Sequence, residues 1–128
     1  MITAYVVAIP SYYEGEDIEI SYCIYDNQNL MCKKSILKEY KKPAIVNLIA
    51  LREVLKELEQ YMDRKIVIVM NDTALNEQIS GTSTSKNKDV LKMASIVREK
   101  IKKFTNPIII KDVSNNREEL VKWNDILK

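Results

Sequence analysis

The chain has 128 residues, 46% of them hydrophobic, which suits one folded domain around one core and argues against disorder. Its 20 basic and 18 acidic side chains leave a net charge of +2, which is not the footprint of a strongly basic, dedicated nucleic-acid binder. With no histidine and only 2 cysteines, zinc centres built on Cys and His, Ser–His and Cys–His nucleophiles and haem–His ligation are excluded by inventory.

Ile2–Ile9 is a nearly continuous apolar run rich in Val, Ile and Tyr, the pattern of a strand buried on both faces, and Pro10 ends it. Ser11–Asp17, with Gly15 among acidic and hydroxylic neighbours, reads as an exposed turn. Asp17–Tyr25 is a second β-rich run, Asp26-Asn27-Gln28-Asn29 a turn signal and Leu30–Leu37 a third strand, so the chain opens with an antiparallel meander. A two-residue loop at Asn27-Gln28 sets Asp26 opposite Asn29, Tyr25 opposite Leu30 and Cys23 opposite Cys32. The last pair is then non-hydrogen-bonded, with Cβ atoms ~4.5–5.5 Å apart. This register brings the two thiols together, as a thiol pair or as two small buried hydrophobes, reduced in a cytoplasmic setting.

Lys41-Lys42-Pro43 breaks the strand, and Pro43 suits the first position of a helix. Ile45, Leu48, Leu51, Val54, Leu55, Leu58 and Met62 recur at helical spacing, with Arg52, Glu53, Lys56, Glu59 and Gln60 on the other side; the helix should end near Asp63. Lys65–Met70 is apolar without alternation, which suits a central parallel strand and completes a βαβ unit. Asn71-Asp72-Thr73 offers caps to a short helix near Ala74–Ile79, and Ser80–Lys88, with Gly81, is a polar loop. Asp89 begins a helix with Val90, Leu91, Ala94, Ile96, Val97 and Ile101 inside. Asn106–Ile110 is a fifth β run with Pro107 at its start. Ser114–Leu127 is a terminal helix, capped by Ser114 or Asn115 and carrying Leu120, Val121, Trp123, Ile126 and Leu127 on its apolar side.

No internal repeat or second domain is visible, so residues 1–128 read as one domain. The 2 glycines and 3 prolines argue against a Gly-rich phosphate loop and a many-turned sandwich. No apolar run approaches the ~20 residues that span a bilayer, and no basic-then-apolar leader opens the chain. The expectation is a soluble, cytoplasmic protein without a membrane partner.

The order of three antiparallel strands, helix, strand, short helix, longer helix, strand and terminal helix resembles the ribonuclease H-like fold of the ribonuclease HI type, across almost the whole chain. Local strings add to it. Val67-Ile68-Val69-Met70-Asn71-Asp72-Thr73 resembles the family's fourth strand, which ends in an Asp followed by Ser or Thr. Lys86-Asn87-Lys88-Asp89-Val90-Leu91 resembles the opening of a later helix, and Ser114-Asn115-Asn116-Arg117-Glu118-Glu119-Leu120 its last helix. The resemblance implies an α/β fold with a five-stranded mixed sheet flanked by helices. A three-strand antiparallel meander is joined by two parallel strands, the fourth beside the first and the fifth beyond it.

The resemblance also implies a site. The family cleaves with two Mg²⁺ ions held by four acids: in mid-first-strand, early in the first long helix, at the end of strand four and on the last helix. Here Thr3-Ala4-Tyr5-Val6-Val7-Ala8-Ile9 has no carboxylate, nor has the helix opening Pro43-Ala44-Ile45-Val46-Asn47. Asp72 matches the strand-four acid and Glu119 the last-helix acid; the family's helper His has no counterpart. Glu14, Glu16 and Asp17 lie beyond Pro10, at the wrong end of the strand to substitute. Two carboxylates without the bridging one should not hold a metal pair, so Asp72 and Glu119 are vestigial catalytic candidates, or candidates for one weakly held ion. Each also has a plain reading: Asp72 as a helix N-cap, Glu119 as an early-helix acid favoured by the macrodipole, Asp112 as a loop acid and Trp123 as packing.

The degenerate acid set points to a non-catalytic binding or regulatory module, with a protein partner ahead of nucleic acid and no cofactor expected. Nucleic acid would be gripped through its phosphates by Lys33, Lys34, Lys38, Lys41 and Lys42, or by Arg98, Lys100, Lys102 and Lys103, in a sequence-tolerant and salt-dependent way. Those runs also read as solvated faces. The alternative is a cryptic nuclease, dependent on Mg²⁺ or Mn²⁺, acting on RNA–DNA hybrid or DNA through Asp72 and Glu119.

Overall fold

The apolar runs of the sequence become the strands of one mixed sheet. A computed structural model of the chain describes residues 1–9, 17–39, 43–81 and 86–128. Pro10, the turn at Gly15 with Glu14 and Glu16, Lys41, Lys42 and positions 82–85 of the polar loop lie outside the described residues. Strands β1 (Ile2–Ile9), β2 (Asp17–Asp26) and β3 (Asn29–Glu39) form the antiparallel meander, while β4 (Ile66–Met70) and β5 (Ile108–Asp112) run parallel to β1. The order across the sheet is β3-β2-β1-β4-β5, as expected. The helices are α1 (Val46–Leu58), α2 (Leu75–Ser80), α3 (Lys88–Lys102) and α4 (Arg117–Leu127), with single 3₁₀ turns at Pro43–Ile45 and Glu59–Tyr61 on either side of α1.

Pleating divides the sheet into a dry face and a half-open one. Ile2, Ala4 and Val6 of β1 are fully buried, whereas Thr3, Tyr5 and Val7 are half-buried, so β1 is not covered equally on both faces. The dry face joins Ile18, Ile20 and Ile24 of β2 and Ile66 and Ile68 of β4 to Leu48, Leu51, Val54, Leu55 and Leu58 of α1. Each of these side chains contributes roughly 1.5–3 kcal/mol by leaving water. Helix α3 adds Val90, Ala94 and Val97 to the same core. The second face has a smaller cluster of Val69, Val113 and Trp123 beneath α4. Among the described residues no helix is long and apolar enough to cross a membrane.

Several local expectations are corrected. The β2–β3 turn sets Asp26 opposite Asn29 and Tyr25 opposite Leu30 as read from the sequence, with Asn27 at φ +55° in the left-handed region that Asn tolerates. A register shift then follows: Ile24 pairs with Cys32, and Cys23 faces Lys33 rather than Cys32. Because side chains alternate along a strand, a shift of one residue sends the two thiols to opposite faces. Cys23 is buried under α4, its Sγ 3.5 Å from the Ile126 carbonyl, while the Cys32 thiol donates to Glu57 Oε1 at 3.3 Å; both cysteines are free. Strand β5 begins at Ile108, two places later than Asn106, because Asn106 Nδ2 donates to the Asp63 carbonyl and the Thr105 amide to that of Met62. Asn87, one residue before Lys88, caps α3, and Asn116 rather than Ser114 or Asn115 caps α4.

Candidate functional site

The carboxyl ends of parallel strands are where open α/β sheets bind ligands, and here β1 and β4 end between the opening of α1 and the middle of α4. A cleft of about 190 Å³ lies there, lined by Val6, Val7, Ala8, Asn47, Asn71 and Trp123. Its strand wall is apolar. The β1–β4 ladder ends at the pair Tyr5–Val69, one residue short of Val6. The Val6 carbonyl therefore has no ladder partner in β4, and the indole Nε1–H of buried Trp123 donates to it at 3.0 Å.

Asp72 follows β4 by two residues and is half-buried. Its Oδ2 accepts from Asn47 Nδ2 at 2.9 Å, and its Oδ1 accepts from the Ala74 amide at 2.9 Å. The second bond is the capping role read from the sequence, made to the turn that leads into α2. The first was not foreseen: Asn47, in the opening turn of α1, is the amide that faces Asp72. The backbone amide of Asp72 donates to Asp112 Oδ1 at 3.3 Å. Asp112 is not a loop acid but the last residue of β5, paired with Met70. It also accepts from the Ser114 amide at 2.9 Å and the Ser114 hydroxyl at 2.7 Å, tying the ends of β4 and β5 together.

Glu119 lies in the first turn of α4, where its amide is capped by Asn116 Oδ1 at 3.1 Å. Its carboxylate is bonded to Lys111 of β5 and is not part of the cleft lining. Asp72 and Glu119 are thus held by different partners. Among the described residues no three Asp, Glu or Cys side chains gather in a way that could hold a metal ion. The cleft's donor set, two amides and a buried indole beside one satisfied carboxylate, does not fit a pair of Mg²⁺ ions, which need several free carboxylate oxygens.

The basic candidates do not form one stripe. In β3, Lys33 lies opposite Cys23 and on its face, whereas Lys34 and Lys38 lie opposite Tyr22 and Ile18 on the α1 face. Lys33 Nζ donates to the carbonyl of Lys128 at 2.8 Å, Lys34 pairs with Glu57 at 2.8 Å, and Lys38 with Glu53 at 3.6 Å. Arg98 is structural: its Nε donates to the Ile79 carbonyl at 2.7 Å, closing the end of α2 next to Gly81 at φ +81°. Lys102 pairs with Glu99 at 3.2 Å, Lys100 is half-buried and Lys103 is exposed.

These ion pairs also order the charges between the meander and α1. The Lys34 hydrogen bond, seconded by that of the Cys32 thiol, holds the Glu57 carboxyl below the ordinary carboxylate value. Burial pushes Glu53 upward, but the hydrogen bond from Lys56 and the charges of Lys56, Lys38 and Arg52 together outweigh it, so Glu53 also lies below its ordinary value.

No protein-family model matches the sequence, and no curated protein matches it. Solved structures do. The chain is similar to ribonuclease H1 from the archaeon Halobacterium salinarum, with a TM-score of 0.78 at 13% identity over 98% of this chain and 92% of that one. It is similar to LC11 ribonuclease H1, obtained from compost by a metagenomic approach and solved in complex with an RNA/DNA hybrid, with a TM-score of 0.78 at 14% identity over 99% of this chain and 94% of that one. A third match is the N-terminal ribonuclease H domain of a Mycobacterium tuberculosis protein, with a TM-score of 0.74 at 13% identity over 98% and 94% of the two chains. At this identity the likeness establishes the fold alone, and that fold is ribonuclease H-like.

Proposed function

We propose that this chain is a non-catalytic ribonuclease H-like domain acting as a binding or regulatory module, with a protein as its partner in preference to nucleic acid. The observation that carries the reading is the Asn47–Asp72 hydrogen bond. Where the resemblance calls for a carboxylate early in the first long helix, this chain has an amide, and that amide is 2.9 Å from the one acid retained at the end of β4. An amide there satisfies Asp72 without a metal ion, whereas a second carboxylate would repel it. Val6, Val7 and Ala8 on the strand wall, and the engagement of Glu119 by Lys111, support the same conclusion. The ion pairs of Lys34, Lys38 and Lys102 support a protein partner over nucleic acid, because a phosphate contact at any of these three would first have to break its pair.

The test uses labelled RNA–DNA hybrid, double-stranded DNA and single strands, in Mg²⁺ or Mn²⁺ at low salt, run on denaturing and native gels. The expected result is intact substrate and no salt-sensitive shift. Cleavage that disappears in Asp72→Ala would refute the non-catalytic reading. A shift abolished by salt, without cleavage, would turn the partner from protein to nucleic acid.

A further inference from the structure

The second face of the sheet is only partly covered. Helix α4 packs on β1 and β2 and over Val69 of β4, and among the described residues no other helix lies on that side of the sheet. Ile109, in the middle of β5, is 60% exposed, and Val67 beside it in β4 is half-buried. Parallel strands ordinarily have both faces covered, because their apolar side chains project both ways. The open strip forms a groove of about 610 Å³ with Tyr5, Val67 and Ile109 as its floor and Val69, buried beneath α4, at its inner edge.

The dimensions of this strip select its occupant. Two strands at ~4.8 Å spacing present a band roughly 10 Å wide, the diameter of one α-helix. Five residues of strand run ~17 Å, the length of about eleven helical residues. The layer that α4 begins therefore has room for one more helix of about three turns.

Charge selects the chemistry. The groove and the two depressions that adjoin it are edged by Lys65, Lys111 and Lys122, and among the described residues no Asp or Glu lines any of the three. Lys111 already shares Glu119, but Lys65 and Lys122 are exposed and have no ionic partner among the described residues. A second copy of this face would oppose lysine to lysine. A nucleic-acid strand would find Val67, Ile109 and one aromatic ring, that of Tyr5, which already packs edge-on with Tyr25 at 5.8 Å, and not a row of stacking platforms.

We infer that the open β4–β5 face beside α4 docks an acidic amphipathic helix of about three turns, its apolar stripe on Val67 and Ile109 and its carboxylates on Lys65 and Lys122. The inference rests on the protein-partner reading above and specifies the chemistry of that partner.

The test is an amide chemical-shift titration of the ¹⁵N-labelled chain with three probes. One is a helical peptide of about 14 residues built from Leu, Ala and Glu with leucines at helical spacing. The second is its Lys-for-Glu twin, and the third is a single-stranded oligonucleotide. The expected result is saturable shifts confined to the neighbourhood of Thr3, Val67, Ile109 and Lys122 with the Glu peptide only. The double variant Lys65→Glu/Lys122→Glu should weaken that binding about tenfold or more and admit the Lys peptide instead. Ile109→Glu, a change at an exposed side chain, should abolish both, with the remaining spectrum unchanged. Shifts absent or scattered, equal binding of both peptides, a double variant that binds the Glu peptide unchanged, or oligonucleotide shifts on this face would each overturn the inference. Failure here with clean cleavage lanes would leave the non-catalytic reading standing, whereas Mn²⁺-dependent cleavage with confined peptide shifts would remove that reading and leave the docking face.

Discussion

Removing the indole N–H of Trp123 tests whether α4 is locked to the sheet through the Val6 carbonyl. Trp123→Phe keeps an aromatic ring in the buried cluster with Val69 and Val113 but deletes the 3.0 Å bond to Val6. That carbonyl lies one residue past the β1–β4 ladder and on a fully buried residue, so neither β4 nor bulk water replaces the lost donor. An orphaned buried acceptor costs ~1–3 kcal/mol. The smaller ring leaves roughly 35–40 Å³ unfilled, which at ~24 cal/mol per Å³ adds about 1 kcal/mol. The sum is ~2–4 kcal/mol, or at about 4 °C per kcal/mol a Tm lower by ~8–16 °C. Urea unfolding followed by far-ultraviolet circular dichroism measures it in both proteins, since Trp123 is the 1 tryptophan and the variant carries no indole fluorophore. A loss below ~0.5 kcal/mol would show that the bond contributes nothing net to holding α4 on the sheet.

Asn47→Asp should place two carboxylates at the present 2.9 Å contact with Asp72. Mutual repulsion raises their folded-state pKa values, so stability should fall as pH rises through the carboxylate range: Tm lower than wild type at pH 7 and nearly restored at pH 4. A higher Tm at pH 7 would contradict the pairing. Glu53 and Glu57 carry the opposite sign. Their carboxyls lie below the ordinary value of 4.5, so their contribution is complete above that pH and is lost as pH falls through the folded-state values. Wild type should lose Tm steeply below about pH 4.5, and Lys34→Met should flatten that limb; an unchanged limb would refute the Lys34–Glu57 assignment. Glu53→Ala leaves Arg52, Lys56 and Lys38 facing one another and should cost ~1–2 kcal/mol in urea unfolding, the half-exposed lysines limiting the loss. Thiol titration should count two free thiols in the unfolded chain. In the native chain the half-buried Cys32 should react before the buried Cys23, both slowly because burial raises each thiol's pKa; a native disulfide would overturn the register.

Much of the fold was legible because it is written in local periodicity. The α1 apolar positions repeat every three or four residues, Lys65–Met70 shows no alternation, and Asn27 sits in a turn of polar residues. What escaped depends on single residues or distant ones. The shift opposite Ile24 leaves no trace in the pattern, since Leu30 and Met31 are both exposed and either register suits them, yet it separates the two thiols. Ile108-Ile109-Ile110 was legible as a β run, but not that Ile109 is exposed, because that depends on α4 lying over β1 and β2. At the candidate site, Asp72 and Glu119 were visible as acids in matching strings. Their partners Asn47 and Lys111 lie 25 and 8 residues away, and nothing in an isolated Asn or Lys announces such a pairing. Trp123 read as packing, which it is, but its polar edge became meaningful only once the end of the β1–β4 ladder was known.

These placements together bear on the docking face proposed above. A cluster of carboxylates at the strand ends is stable only with cations to offset its repulsion. In this chain the same corner is satisfied internally, by Asn47 on Asp72, Ser114 on Asp112, Lys111 on Glu119 and the Trp123 indole on the Val6 carbonyl. Each of those groups has a partner within the chain, and together these bonds tie α1, β4, β5 and α4 at this corner. Further along the same face of β4 and β5, Ile109 is exposed between Lys65 and Lys122, which have no ionic partner among the described residues. Burying that side chain would be worth roughly 1–2 kcal/mol, and a partner gains it without disturbing any hydrogen bond at the strand ends. Binding there should accordingly be insensitive to Asp72→Ala, a separation that an active-site-directed interaction would not show.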